Sequence, residues 1–164
     1  MAKSTPPPAE RISEAFKELA ESAARLNAVS DELAKAIAPV DAALKKLNLG
    51  VVAWHDYAGT QDVDSGEYWA HRLGYAKVDG KWGLAISDVS GNVYHPDDYD
   101  ESMWLFNDAP RWMRIRAIDH VPQLLEELVK QANKTAADLQ AKTKTARDLA
   151  ETLTSVPVNS QARR

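Results

Sequence analysis

Mostly apolar side chains, interrupted by Ser30, Thr135 and Lys142, follow one another at alternating steps of four and three through both ends of the chain. Near the N-terminus they are Ile12, Phe16, Leu19, Ala23, Leu26, Ser30, Leu33, Ile37, Val40, Leu44 and Leu47. Near the C-terminus they are Ile118, Val121, Leu125, Leu128, Ala132, Thr135, Leu139, Lys142, Ala146, Leu149 and Leu153. A 3.5-residue repeat predicts helices with one apolar seam each. Both flanks are also rich in Ala, Leu, Lys and Glu, which favour helix. Folded back antiparallel, the two seams match layer by layer: Leu19 and Leu33 face the smaller Ala146 and Ala132, and Ser30 faces Thr135. The expectation is therefore a helical hairpin about 50 Å long, at 1.5 Å per residue. The same pattern is compatible with pairing between two chains, a homodimer through the stalk. Pro39 and Pro122 fall at nearly one height in this register, where each marks either a kink or the first turn of a new helical segment.

Between the flanks the pattern changes to alternation. Leu49 to Tyr57 reads as a strand. Tyr68 to Val78 and Lys81 to Asp88 read as two strands joined by Asp79-Gly80, the dipeptide of a type I′ hairpin. Ser90 to Ser102, with Gly, Asn, Pro and several acidic residues, reads as an exposed loop. Trp104 to Phe106 suits a further short strand, and Asp108 a helix N-cap before Pro110. The fold class expected is α+β: a long, coiled-coil-like antiparallel helical hairpin, with a small antiparallel β-sheet head inserted between its two helices. The boundaries are a flexible tail at 1–8, a stalk helix at 9–48, the β head at 49–117, a second stalk helix at 118–154 and a flexible tail at 155–164.

Composition sharpens this division. All seven glycines, five tryptophans and five tyrosines lie in the middle segment. The net charge is -4, and residues 49–117 carry eleven acidic groups against six basic. An acidic head argues against a nucleic-acid surface, which needs clustered Lys and Arg. No apolar run approaches the ~20 residues of a membrane span. The chain has no cysteine, which excludes disulfides, a thiolate nucleophile and sulfur-ligated zinc. Without an apolar leader at Met1 to Pro8, a cytoplasmic location is the expectation.

Candidate chemistry lies in the head. Asp97, Asp98, Asp100 and Glu101 form the strongest acidic cluster, and with Trp69, Trp82 and Tyr99 they make the candidate surface for a protein partner of basic character. Arg111, Arg114 and Arg116, at the start of a helix, suit an anion or an ion pair with the acidic segment upstream. His55, His71 and His95 are the candidate metal ligands, although no short spacing brings two of them to one face. Asp62, Asp64 and Glu67 resemble a calcium loop only superficially, since Gly66 falls at the wrong place and Leu73 stands where a bidentate Glu belongs. No catalytic constellation emerges, neither a nucleophile elbow nor a phosphate cradle, and no cofactor is implied. The function read from the sequence is a non-enzymatic interaction module, of adaptor, inhibitor or immunity type. A small-molecule- or metal-binding head with activity, and a structural subunit that oligomerises through its stalk, are the alternatives.

Overall fold

The computed structural model describes residues 7–155, so the expectations for the two tails fall outside the described residues except at their inner ends. The chain divides after Asn48 into two compact units.

The first unit is one helix, α1 (Pro8–Lys46). Proline opens it, where the missing N–H would have had no helical partner. Helix continues through Pro39, which is neither a boundary nor the start of a new segment. Of its apolar positions only Ile37 and Leu44 are buried.

The second unit begins with a four-stranded antiparallel sheet in the order β1 (Ala53–Gln61), β2 (Glu67–Val78), β3 (Lys81–Asn92) and β4 (His95–Leu105). The Asp79-Gly80 hairpin is present, and both residues adopt the positive φ, 47° and 82°, that a type I′ turn demands. After β4 a short 3-10 turn, Phe106–Asp108, leads to α2 (Arg111–Ala117), a second 3-10 turn, Ile118–His120, and α3 (Val121–Ser155). Asp108 ends the first of these turns, and Pro110, which offers no side-chain cap, stands at the N-cap of α2 instead. Pro122 sits in the first turn of α3, where proline is tolerated.

The expected hairpin with an inserted head is overturned. The N-terminal helix comes first, the sheet follows, and the helical C-terminal part, from Arg111 to Ser155, lays its opening turns against the sheet. The outer parts of the two seams are exposed, Phe16 at 70% and Leu153 at 74%, whereas the inner seam residues Ile37, Leu44 and Leu128 are buried. In α3 the buried residues are Leu124 and Leu128, whereas the seam residue Leu125 is 40% exposed. A heptad period makes a helix amphipathic but does not name what covers it. Near its start α3 packs on a sheet through Leu128, which belongs to the heptad seam, and Leu124, which lies outside it.

Pairing registers fix the two faces of the sheet. Trp54, Arg72, Gly74, Ser87, Glu101 and Met103 share one face, and His55, Trp69, His71, Leu73, Ile86 and Asp88 share the other. On the first, Ala76, Val78 and Ala85 form a small core beneath Trp54, Met103 and Leu105. Gly74 is required there, because a Cβ at this position would come within 2.1 Å of the Trp54 ring. The second face meets α2 and α3, and Leu73, Leu84, Ile86, Met113 and Leu124 are its most deeply buried side chains. The segment Ser90 to Ser102, expected as a loop, forms the end of β3, the turn at Val93-Tyr94 and most of β4. Its acidic composition suits an exposed edge strand, where charge discourages pairing with another sheet.

Candidate functional site

The turn between β1 and β2 is built around Asp62. Its Oδ1 accepts the backbone N–H groups of Asp64 (2.8 Å) and Ser65 (3.1 Å), which hold the carboxyl below the ordinary aspartate range. The turn between β3 and β4 then braces it. Asn92 donates from its side-chain amide to the Ser65 carbonyl (3.0 Å), and the Tyr94 hydroxyl donates to the Val63 carbonyl (3.0 Å). Gly66, at φ +76°, lies under the Tyr94 ring, where a Cβ would approach to 2.4 Å. Two turns distant in sequence thus become one braced end of the sheet.

At this end lies an open cleft of about 430 Å³. Asp62, Glu67 and Asp98 contribute carboxylates, and Tyr68 and Trp69 contribute rings. A second hollow of about 470 Å³ shares Thr60, Tyr68 and Trp69 with it and extends along β1 to Asp56 and Tyr57. The third hollow, on the opening turns of α1, is the surface of a single helix from Pro8 to Glu18.

Behind Trp69, on the helix-covered face, aromatic rings surround the histidines. A register shift between Asp56 and Ala58 inserts Tyr57 as an extra residue and turns it toward His71 and His120, at ring distances of 6.0 and 5.6 Å. His71 lies 4.7 Å from Trp69 and 5.0 Å from Trp112, ring to ring, and its Nε2 is 3.5 Å from Asp88. Arg116 stands over the Trp112 ring at 5.7 Å. His55 Nε2 and His120 Nδ1 face each other at 3.3 Å. The Tyr57 hydroxyl and His71 Nδ1 are buried and have no hydrogen-bond partner among the described residues. Burial pushes the Tyr57 phenol up to about 12; Arg116 lowers it and Asp88 raises it further, both less strongly.

The opposite face carries an ion network. Arg72 donates to Glu101 (2.7 Å) and Ser87 (3.3 Å), while Ser87 and Tyr99 donate to Glu101 at 2.7 and 2.6 Å. Burial opposes ionisation of Glu101, but the hydrogen bonds from Tyr99, Ser87 and Arg72 together outweigh it and lower its carboxyl below the ordinary value. The bond to Glu101 also raises the Tyr99 phenol. Arg72 lies 5.3 Å over the Trp54 ring.

The sequence candidates are therefore dispersed. Asp97, Asp98 and Asp100 are exposed on β4, but only Asp98 reaches the cleft, in company with Asp62 and Glu67. Glu101 is committed to Arg72, and Tyr99, half exposed, is tied to Glu101. Trp69 lines the cleft, whereas Trp82 stacks on Tyr75 at 5.6 Å beside the β2–β3 hairpin, at the other end of those strands. Arg111, Arg114 and Arg116 lie on α2, a helix of only seven residues. Of the three candidate metal ligands, His55 meets His120, His71 meets Asp88, and His95 is exposed on β4 apart from both. Among the described residues no group of three or more His, Cys, Asp or Glu is placed to hold a metal. Sequence reasoning missed Tyr57, Arg72, Ser87 and His120, which meet their partners only through sheet register and helix docking.

These features define the class: an α+β chain whose sheet ends in a braced acidic and aromatic cleft. No family model, curated protein or solved structure matches it, and among the described residues no helix is long and apolar enough to cross a membrane.

Proposed function

We propose that this protein is a non-enzymatic binding module that takes a basic protein partner at the cleft formed by Asp62, Glu67, Tyr68, Trp69 and Asp98. The observation that carries the reading is the convergence of three carboxylates with two aromatic rings around one open cleft of about 430 Å³. A lysine or arginine side chain suits that surrounding: carboxylates attract the cation, and ring faces attract it again once it is partly desolvated. The bracing by Asn92 and Tyr94 supports it as well, since a rigid recess loses less conformational freedom on binding. Exposed Asp97 and Asp100 add to the negative field along β4 and favour encounter with a positive partner.

The reading is tested with an arginine- and lysine-rich peptide as probe, titrated by calorimetry into the wild type and into the Glu67→Lys/Asp98→Lys double variant. Both positions are exposed, so the fold is expected to survive, which circular dichroism checks. The expected result is binding that weakens with salt and falls about tenfold or more in the double variant, roughly 1.4 kcal/mol. Equal affinity for both proteins would sink the reading. Trp69→Ala separates ring stacking from charge, and is expected to weaken binding without changing its salt dependence.

A further inference from the structure

From the facing nitrogens of His55 and His120 we infer a two-histidine site for a borderline divalent metal of the zinc, nickel or copper kind, clipping the start of α3 to strand β1. His55 is on an edge strand, and His120 closes the 3-10 turn immediately before Val121, the first residue of α3. The two are 65 residues apart in sequence, and both rings are partly buried. His55 presents Nε2 and His120 presents Nδ1, at a separation of 3.3 Å.

That separation fits a chelate. A metal at about 2.0–2.1 Å from each nitrogen, with a tetrahedral angle between the bonds, requires the nitrogens to stand roughly 3.3–3.4 Å apart. The ring centroids, 5.3 Å apart, lie slightly closer than a straight N–H···N bond of the same length would place them. Imidazole is the ligand type preferred by this group of cations, and the cysteine-free sequence offers them no thiolate. Among the described residues no third His, Asp or Glu joins the pair, so the remaining coordination positions belong to water or to a ligand from outside. The site is thus an open one, in which metal both ties helix to sheet and presents exchangeable positions beside the Tyr57 ring.

This inference is independent of the acidic cleft, and its test has its own readout. Untagged protein is stripped with chelator and melted with and without zinc chloride, alongside His55→Gln, His120→Gln and His95→Gln. Glutamine keeps a hydrogen-bonding group but cannot complete the chelate. The expected result is a zinc-dependent rise in Tm of several degrees, reversed by chelator, present in wild type and His95→Gln and absent in both His55→Gln and His120→Gln. Calorimetry should then show one zinc per chain in the wild type. No shift in the wild type, or a shift that persists in either pair variant, would overturn the site and leave the pair as a hydrogen bond only. Should His55→Gln fail to fold without metal, His120→Gln together with the nitrogen hyperfine pattern of bound copper, two imidazoles or not, decides the matter.

Discussion

Two groups of polar side chains sit on opposite faces of the same sheet and are handled in opposite ways. On the face of Arg72, one carboxylate, Glu101, collects hydrogen bonds from a guanidinium, a serine and a tyrosine. On the face of His71, the Tyr57 hydroxyl and the His71 Nδ1 are buried and find no hydrogen-bond partner among the described residues. A largely satisfied network, in which among the described residues only the Arg72 Nε lacks a partner, rigidifies the structure, while an unpaired buried group costs stability. The first arrangement therefore belongs to the fold. The second lies beside Trp69, whose ring is 4.7 Å from that of His71 and which also lines the cleft.

The sharpest way to break this contrast is Glu101→Ala. It strands Arg72, whose Nε already lacks a partner, against the sheet. Removing one member of a buried pair costs several kcal/mol, but here both side chains retain 22–23% exposure, so about 2 kcal/mol is expected in denaturant unfolding. Replacing both members, Arg72→Met with Glu101→Leu, should recover a good part of that loss. The acid limb of the stability curve adds a second readout. The Glu101 carboxyl is lowered from 4.5 in the folded state, so its contribution is fully present above that value and fades as pH falls through the folded one. Glu101→Ala should accordingly lose less stability than the wild type between pH 5 and pH 3. An equal slope in the two proteins would mean that Glu101 does not hold the network together.

How much of this was legible in advance follows from range. The Asp79-Gly80 hairpin was legible because its turn needs two residues with positive φ, and that requirement is written in adjacent letters. The amphipathic helices were legible for the same local reason, but the partner of their seams was not, and Leu124 rather than Leu125 meets the sheet. Strand β4 was hidden by its own chemistry: an acidic edge strand and a solvated loop have the same composition. The cleft was half visible. Asp62 with Glu67 and Asp97 with Asp98 stood out as two acidic segments, yet only the brace through Asn92 and Tyr94 places Asp98 beside the first pair. His120 gave no signal of its own, because its partner is 65 residues away on another element.

A smaller effect is expected of Tyr99→Phe. The hydroxyl donates to a carboxylate at 2.6 Å, which strengthens the bond, but the residue is 51% exposed and water replaces the lost donor. A loss of about 0.5–1 kcal/mol, measured as a shift in urea midpoint with unchanged slope, would place Tyr99 at the rim of the network. A loss as large as that of Glu101→Ala would make it a central member and would redraw the boundary between the two faces.

Tyr57→Phe should have the smallest effect at neutral pH, and the opposite sign. Among the described residues none accepts its proton or donates to its oxygen, so deleting the hydroxyl removes a desolvation cost and no bond. The expected change is between zero and roughly 1 kcal/mol in favour of the variant. Alkali enlarges the difference. The folded state holds the phenol protonated up to about 12, whereas an unfolded tyrosine ionises near 10. The stability tied to the neutral ring is thus complete below pH 10 and is lost as pH rises toward 12. Phenylalanine has no proton to lose, so the variant should pull ahead of the wild type across that window, while Tyr99→Phe provides the comparison from the other face. If Tyr57→Phe is instead destabilised by 1 kcal/mol or more at pH 7, the hydroxyl has a partner in solution, and the histidine face is as fully paired as the face of Arg72.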